Sequence, residues 1–275
     1  MIILAMKTIA LPSGERVPAF GMGTWHMESA HDAAALRLGL DLGVRLIDTA
    51  EMYGEGRAEE LVGEAIAGRR DEVFVVSKVY PHNASRKGVA AACERSLRRL
   101  KTDRIDLYLL HWRGNVPLAE TAEGFEALRA AGKIRHWGVS NLDRDDMQEL
   151  WASSGAVQAN QLLYNLTRRG IEWDLLPRLR ERRIPVMAYS PIEQARLLNN
   201  RALVDFGKCH GMAPAQAALA WLLAKDDVIV IPKAANAAHL RENLASLKIE
   251  LTPAQLAELE RAFPPPAGPS ALEML

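Results

Sequence analysis

The sequence predicts an α/β protein built as a single (β/α)8 TIM barrel over residues 1–275, with an N-terminal β-hairpin and an extra C-terminal helix. Three observations carry this expectation. From Leu46 onward, short β-branched or aliphatic runs alternate with longer segments whose apolar residues recur three and four apart, as a parallel sheet with crossover helices requires. Eight such strand–helix units fit in 275 residues, the usual size of this barrel. The units follow at near-even spacing without a composition break, and no glycine-rich dinucleotide fingerprint follows an early strand, which ranks the barrel above a doubly wound open sheet.

Taken in order, Thr8–Leu11 and Arg16–Ala19 flank the turn signal Pro12-Ser13-Gly14-Glu15 and predict the hairpin. Ala19–Gly23 is the first barrel strand, followed by a helix over Ala33–Leu42. The next seven strands are expected at Leu46–Asp48, Val73–Lys78, Ile105–His111, Ile134–Ser140, Ala156–Gln161, Pro185–Tyr189 and Val228–Pro232. The helices after them are expected at Glu59–Ala67, Lys87–Leu100, Ala119–Ala131, Arg144–Ser153, Trp173–Arg183, Pro214–Ala224 and Ala237–Leu247. Thr252, a suitable N-cap before Pro253, opens the extra helix, which runs to about Phe263. The proline-rich tail Pro264–Leu275 is not expected to form regular structure.

Composition limits the function classes. Thirty-four Lys plus Arg balance thirty-four Asp plus Glu, so no global basic field attracts nucleic acid or an anionic membrane surface, and a small molecule is the expected partner. The opening run Met1–Met6 is too short for the apolar core of a signal peptide, and no run approaches a membrane span. Cys93 and Cys209 lack metal-ligand or CxxC spacing and point to a reducing compartment, so the expected location is the cytoplasm and no metal site is expected.

Barrel active sites lie at the carboxyl ends of the strands, so the polar residues that end each run are the candidates. They are Asp48, Lys78, His111, Ser140 with Asn141, Gln161, Tyr189 with Ser190, and Lys233. Tyr53, five residues past Asp48 and just before Gly54, can fold back over the same rim. A phenol releases its proton with difficulty at neutral pH, and a nearby ammonium favours its ionised form. Lys78 can supply that charge, Asp48 can hold Lys78 and compensate its burial, and His111 can orient a carbonyl oxygen. Each residue also has a plainer reading: Asp48 as a helix cap, Lys78 and His111 as solvated loop residues, Tyr53 as packing, Asn141 as a cap of the following turn.

The chain resembles the aldo-keto reductases almost end to end. The motifs in order are "GMGTW" at Gly21–Trp25, "LIDTAEMYG", "VSK", "LLHW", "GVSN", "QLLYN", "AYSP", "IPKA" and "REN" at Arg241–Asn243. The resemblance implies a (β/α)8 barrel that binds an extended nicotinamide cofactor and reduces carbonyls of small molecules. NADPH is favoured and NADH also possible. It implies the catalytic set Asp48, Tyr53, Lys78 and His111. It further implies a carboxamide-binding trio of Ser140, Asn141 and Gln161, with Tyr189 as the aromatic platform beneath the nicotinamide. Ser190–Leu198 would close over the pyrophosphate, and Glu242 and Asn243 would contact adenine. Thr24 and Trp25 would line the mouth, with Trp25 and Trp112 as apolar walls toward the substrate.

Two positions depart from the family pattern. NADPH-specific members commonly carry Ser directly after the eighth-strand Lys and Arg six positions beyond it. Here those positions hold Ala234 and His239, leaving Lys233, with His239, for the 2′-phosphate. Glu193 stands where glycine is frequent. Two rival functions remain beside a carbonyl reductase: a nicotinamide-binding redox-sensing or accessory subunit with little turnover, and a lyase that uses Lys78 or Lys233 as a Schiff base.

Overall fold

The computed structural model describes residues 6–275; Met1–Ala5, most of the apolar opening run, lie outside the described residues. The antiparallel hairpin β1 (Thr8–Ala10) and β2 (Arg16–Pro18) pairs Ile9 with Val17, both buried in the core. Its turn is held where the barrel strands begin: the backbone N–H of Ser13 donates to Gln158, and Glu15 pairs with Arg135 and His136. The hairpin therefore covers the end of the barrel opposite the predicted site.

The barrel strands are β3 (Met22–Gly23), β4 (Leu46–Asp48), β5 (Phe74–Val79), β6 (Ile105–Leu110), β7 (Ile134–Ser140), β8 (Asn160–Leu163), β9 (Val186–Tyr189) and β10 (Val228–Val230). They pair in parallel and in sequence order. A parallel bridge between Phe20 and Val230, with Gly21 N–H donating to the Val230 carbonyl, joins the first strand to the last and closes the ring. Every residue of β5 and β6 is buried, as strands enclosed on both faces must be. This is the expected (β/α)8 architecture. The largest strand shift is at β8, which starts at Asn160 rather than Ala156 and runs on to Leu163.

The surrounding helices are α1 (Ala30–Asp41), α2 (Arg57–Ala65), α3 (Arg86–Leu100), α4 (Leu118–Ala130), α5 (Arg144–Ser153), α6 (Leu175–Glu181), α7 (Arg201–His210), α8 (Pro214–Leu223), α9 (Ala237–Ala245) and α10 (Pro253–Ala262). Thr252 caps α10 as expected, its side chain accepting from the Gln255 N–H while Gln255 reaches back. α6 is shorter than the expected Trp173–Arg183. α7 was not expected at all. It is capped by Asn200 and stopped by Gly211 at φ 68°, and it packs against α10. No described helix is long and apolar enough to cross a membrane.

Candidate active site

The site is built where β4, β5 and β6 end. Asp48 is the last residue of β4, and Lys78 lies on β5 next to it in the pairing order. The Lys78 ammonium is fully buried and spends its donors on Asp48 Oδ2 (2.8 Å), the Thr49 carbonyl (2.8 Å) and Tyr53 Oη (3.0 Å). Asp48 therefore caps no helix, Lys78 is no solvated loop residue, and Tyr53 does more than pack. Tyr53 reaches this position because the chain then turns through three left-handed residues, Gly54 (φ 56°), Glu55 (φ 53°) and Gly56 (φ 94°), before α2 begins. Glycine adopts that conformation freely, which is its use here.

Burial favours the neutral amine of Lys78, but Asp48 and Tyr53 outweigh it and hold the amine above its ordinary range. For Tyr53 the expected direction is reversed. Burial raises the phenol's pKa, Lys78 pulls it down, Asp48 offsets Lys78, and the net shift is upward. The phenol is thus protonated at neutral pH, and because its oxygen accepts from Lys78, its own proton is free to be donated outward.

His111 follows β6, its backbone N–H held by the Val79 carbonyl. Burial and the Lys78 charge push its pKa well below the ordinary value, so the imidazole is neutral. Its ring lies edge-on to Tyr53 at 5.8 Å between centroids. The buried Nδ1 has no hydrogen-bond partner among the described residues. Trp25 packs edge-on against Tyr53 at 4.9 Å, and Trp112 lies 4.8 Å from His111, so both tryptophans wall this rim.

The amide group sits alongside and is wired to the charged centre. Gln161 Nε2 donates to Asp48 Oδ1 at 2.7 Å, and Ser140 Oγ donates to the Gln161 carbonyl at 3.0 Å. Asn141 Nδ2 donates to the His111 carbonyl and to Ser140 Oγ, while Tyr189 Oη donates to Asn141 Oδ1 at 3.0 Å. Asn141 caps nothing: the N-cap of α5 is Asp143, and Asn141 itself is left-handed at φ 55°. The link from Gln161 to Asp48 was not anticipated from the sequence.

The remaining candidates spread along the rim. Thr24 is fully buried, its hydroxyl donating to the Asp48 carbonyl at the end of β4. Lys233 is exposed, its ammonium on the His26 carbonyl. His239, in the first turn of α9, is exposed and shares a hydrogen bond with its N-cap Asn236. Glu242 is half-buried and Asn243 buried on the same helix. Ser190 is left-handed at φ 46° and opens a segment of short helical turns over Glu193–Asn199. Sequence reading missed Glu51, whose buried carboxylate accepts from Tyr80 N–H and Asn83 and pairs with Arg95, tying the loop after β4 to the loop after β5.

Fold and site together define the class: a closed (β/α)8 barrel with a buried carboxylate–lysine–tyrosine centre at its carboxyl rim. The chain belongs to the aldo/keto reductase family, whose model matches residues 19–263. It is 49% identical to methylglyoxal reductase YeaE of Escherichia coli, over 99% of this chain and all of that protein. It is 33% identical to glyoxal reductase of Bacillus subtilis, covering 89% of this chain and 88% of the relative. A crystal structure of an aldo/keto reductase from Klebsiella pneumoniae in complex with NADP and acetate superposes with a TM-score of 0.94 at 48% identity, covering 98% of this chain and all of that one.

Proposed function

We propose that the protein is an NADPH-dependent reductase of small carbonyl compounds, with 2-oxoaldehydes such as methylglyoxal foremost, and that it oxidises alcohols in the reverse direction. The observation that carries this reading is the Lys78 ammonium bonded at once to Asp48 and Tyr53 and buried beside a neutral His111. The relatives named methylglyoxal and glyoxal reductase support the substrate class, and the Klebsiella structure with NADP supports the cofactor.

The residues fit a nicotinamide. A carboxamide needs donors and acceptors together, and Ser140, Asn141 and Gln161 supply both within one hydrogen-bonded group. Tyr189, bonded to that group, presents a ring for stacking. Lys233 and His239 would hold the 2′-phosphate, and Glu242 with Asn243 would meet the adenine. When bound, the reduced nicotinamide supplies the hydride. Tyr53 donates the proton to the carbonyl oxygen, Lys78 orients the phenol, Asp48 balances the Lys78 charge, and neutral His111 directs the carbonyl oxygen toward Tyr53. Trp25 and Trp112 exclude water from the reacting carbonyl. A Schiff base at Lys78 is disfavoured, because that chemistry needs the neutral amine and this one is held charged. Two free cysteines suit a cytoplasmic reductase.

The test is nicotinamide consumption with methylglyoxal, NADPH and NADH in parallel. Tyr53→Phe removes the hydroxyl, and with it the transferable proton and one acceptor of the Lys78 ammonium. It should lower kcat by about 10²–10⁴-fold, the usual worth of a positioned acid, while NADPH binding stays within a few fold. A Tyr53→Phe enzyme that keeps most of its turnover would overturn the assignment, and tight cofactor binding without turnover in the wild type would favour the sensing subunit.

A further inference from the structure

Residues Pro264–Leu275 form neither helix nor strand, yet four contacts fix their course. Ser270 lies so close to Gly170 that an added Cβ there would come within 2.6 Å of the serine Oγ. Leu272 packs against the hydrophobic core, and Glu273 pairs with Arg168. The backbone N–H of Leu275 reaches Tyr189 Oη at 3.4 Å, and that hydroxyl in turn donates to Asn141. Ser270–Glu273 also line a cavity of about 190 Å³ together with Leu163, Ile171, Asp174 and Leu175.

Arg168 is the joint of this arrangement. Its Nη1 donates to Glu273, while Nε and Nη2 donate to Glu193 Oε1 at 3.0 and 2.8 Å. Glu193, the residue without an account in the sequence, is buried and left-handed at φ 52°. Its other oxygen accepts from Asn165 Nδ2 at 2.8 Å, and the same nitrogen donates to the Ser190 carbonyl at 2.9 Å. Arg196 adds a second cation to the carboxylate. A glycine at this position would leave Arg168 bonded to the tail alone. The planar guanidinium thus ties the strand end that carries Tyr189 to the tail that reaches over it, and a rigid fork transmits position where a flexible ammonium would not.

We propose that Arg168 is a positioning residue that couples the C-terminal tail to the segment after β9, so that occupation of the nicotinamide site orders the tail over the mouth. The coupling rests on the nicotinamide reading given above. A ligand stacked on Tyr189 and lying along Ser190–Asn199 restrains Glu193, Glu193 restrains the guanidinium plane, and the guanidinium restrains Glu273. The tail closes on the loaded site and loosens on the empty one.

Hydrogen exchange of the peptide covering residues 270–275, measured on the full chain with and without saturating NADP⁺, tests this, with cofactor binding followed separately by fluorescence. In the wild type NADP⁺ should slow tail exchange by about fivefold or more, the lower end of ordinary coupling between sites. In Arg168→Met and in Glu273→Gln, NADP⁺ should still bind, but the slowing should shrink below about twofold. Glu273 lies on the tail itself, so that variant carries the test if Arg168→Met does not fold. Equal slowing in wild type and Glu273→Gln, or none in a wild type saturated with NADP⁺, overturns the coupling and leaves the cofactor reading standing. A wild type that binds no NADP⁺ overturns both.

Discussion

Lys78→Met removes a charge while keeping most of the side chain's length, and its effects on stability and on turnover can be separated. In the wild type the ammonium is fully buried and bonded to Asp48, Thr49 and Tyr53. Without it Asp48 keeps the Gln161 amide as its side-chain donor, in a place closed to water. Breaking a buried ion pair from one side costs about 3–5 kcal/mol. At the unfolding entropy usual for a chain of this length, that lowers Tm by about 5–9 °C. Adding Asp48→Asn removes the stranded charge and should return more than half of the loss. The phenol is affected separately: it loses a charged donor worth about 1.5–3 kcal/mol, or about one to two powers of ten in rate where the interaction is made in the transition state. Turnover of methylglyoxal should therefore fall by at least about tenfold, and Asp48→Asn should not restore it. Thermal unfolding by circular dichroism and nicotinamide absorbance on the same preparations give both numbers. Turnover within about threefold of wild type, or a double variant whose turnover recovers with its Tm, would refute the assignment of Lys78 to the phenol.

Two further outcomes follow from single side chains. Burial pushes His111 well below its ordinary pKa of 6.5, so under that pH the unfolded chain takes up a proton that the folded chain refuses. Stability should fall by about 1.4 kcal/mol per pH unit from this group as pH drops below about 6.5, and His111→Gln should flatten that part of the Tm profile; an identical slope would mean that the folded imidazole charges freely. A histidine, His239, stands on the exposed first turn of α9 where a permanently charged Arg would hold a 2′-phosphate best, so the preference for NADPH over NADH should erode with salt and should strengthen in His239→Arg. An affinity ratio indifferent to both His239→Arg and His239→Ala would leave Lys233 as the phosphate ligand.

Much of this site was legible because a barrel turns strand order into neighbourhood. Asp48 and Ser140 end their strands where the apolar runs end, and Lys78 needs only the adjacent strand to meet Asp48. α7 was missed because its buried face is narrow, Leu203 and Phe206 three apart with Gly207 behind them, although Asn200 and Gly211 mark its ends. The direction of the Tyr53 shift was misread for another reason: charge can be counted along a sequence, whereas desolvation depends on what packs above the ring. Arg168 was illegible in the strictest sense. Its partners lie 25 and 105 residues away, on a loop and on a tail without period or pattern, and only their convergence makes Glu193 intelligible. The charged centre is thus set by neighbouring strands, while the contacts that hold the tail join segments far apart in the chain. Changes in the tail can therefore leave the partners of Lys78 and Tyr53 untouched, because none of those partners lies in the tail.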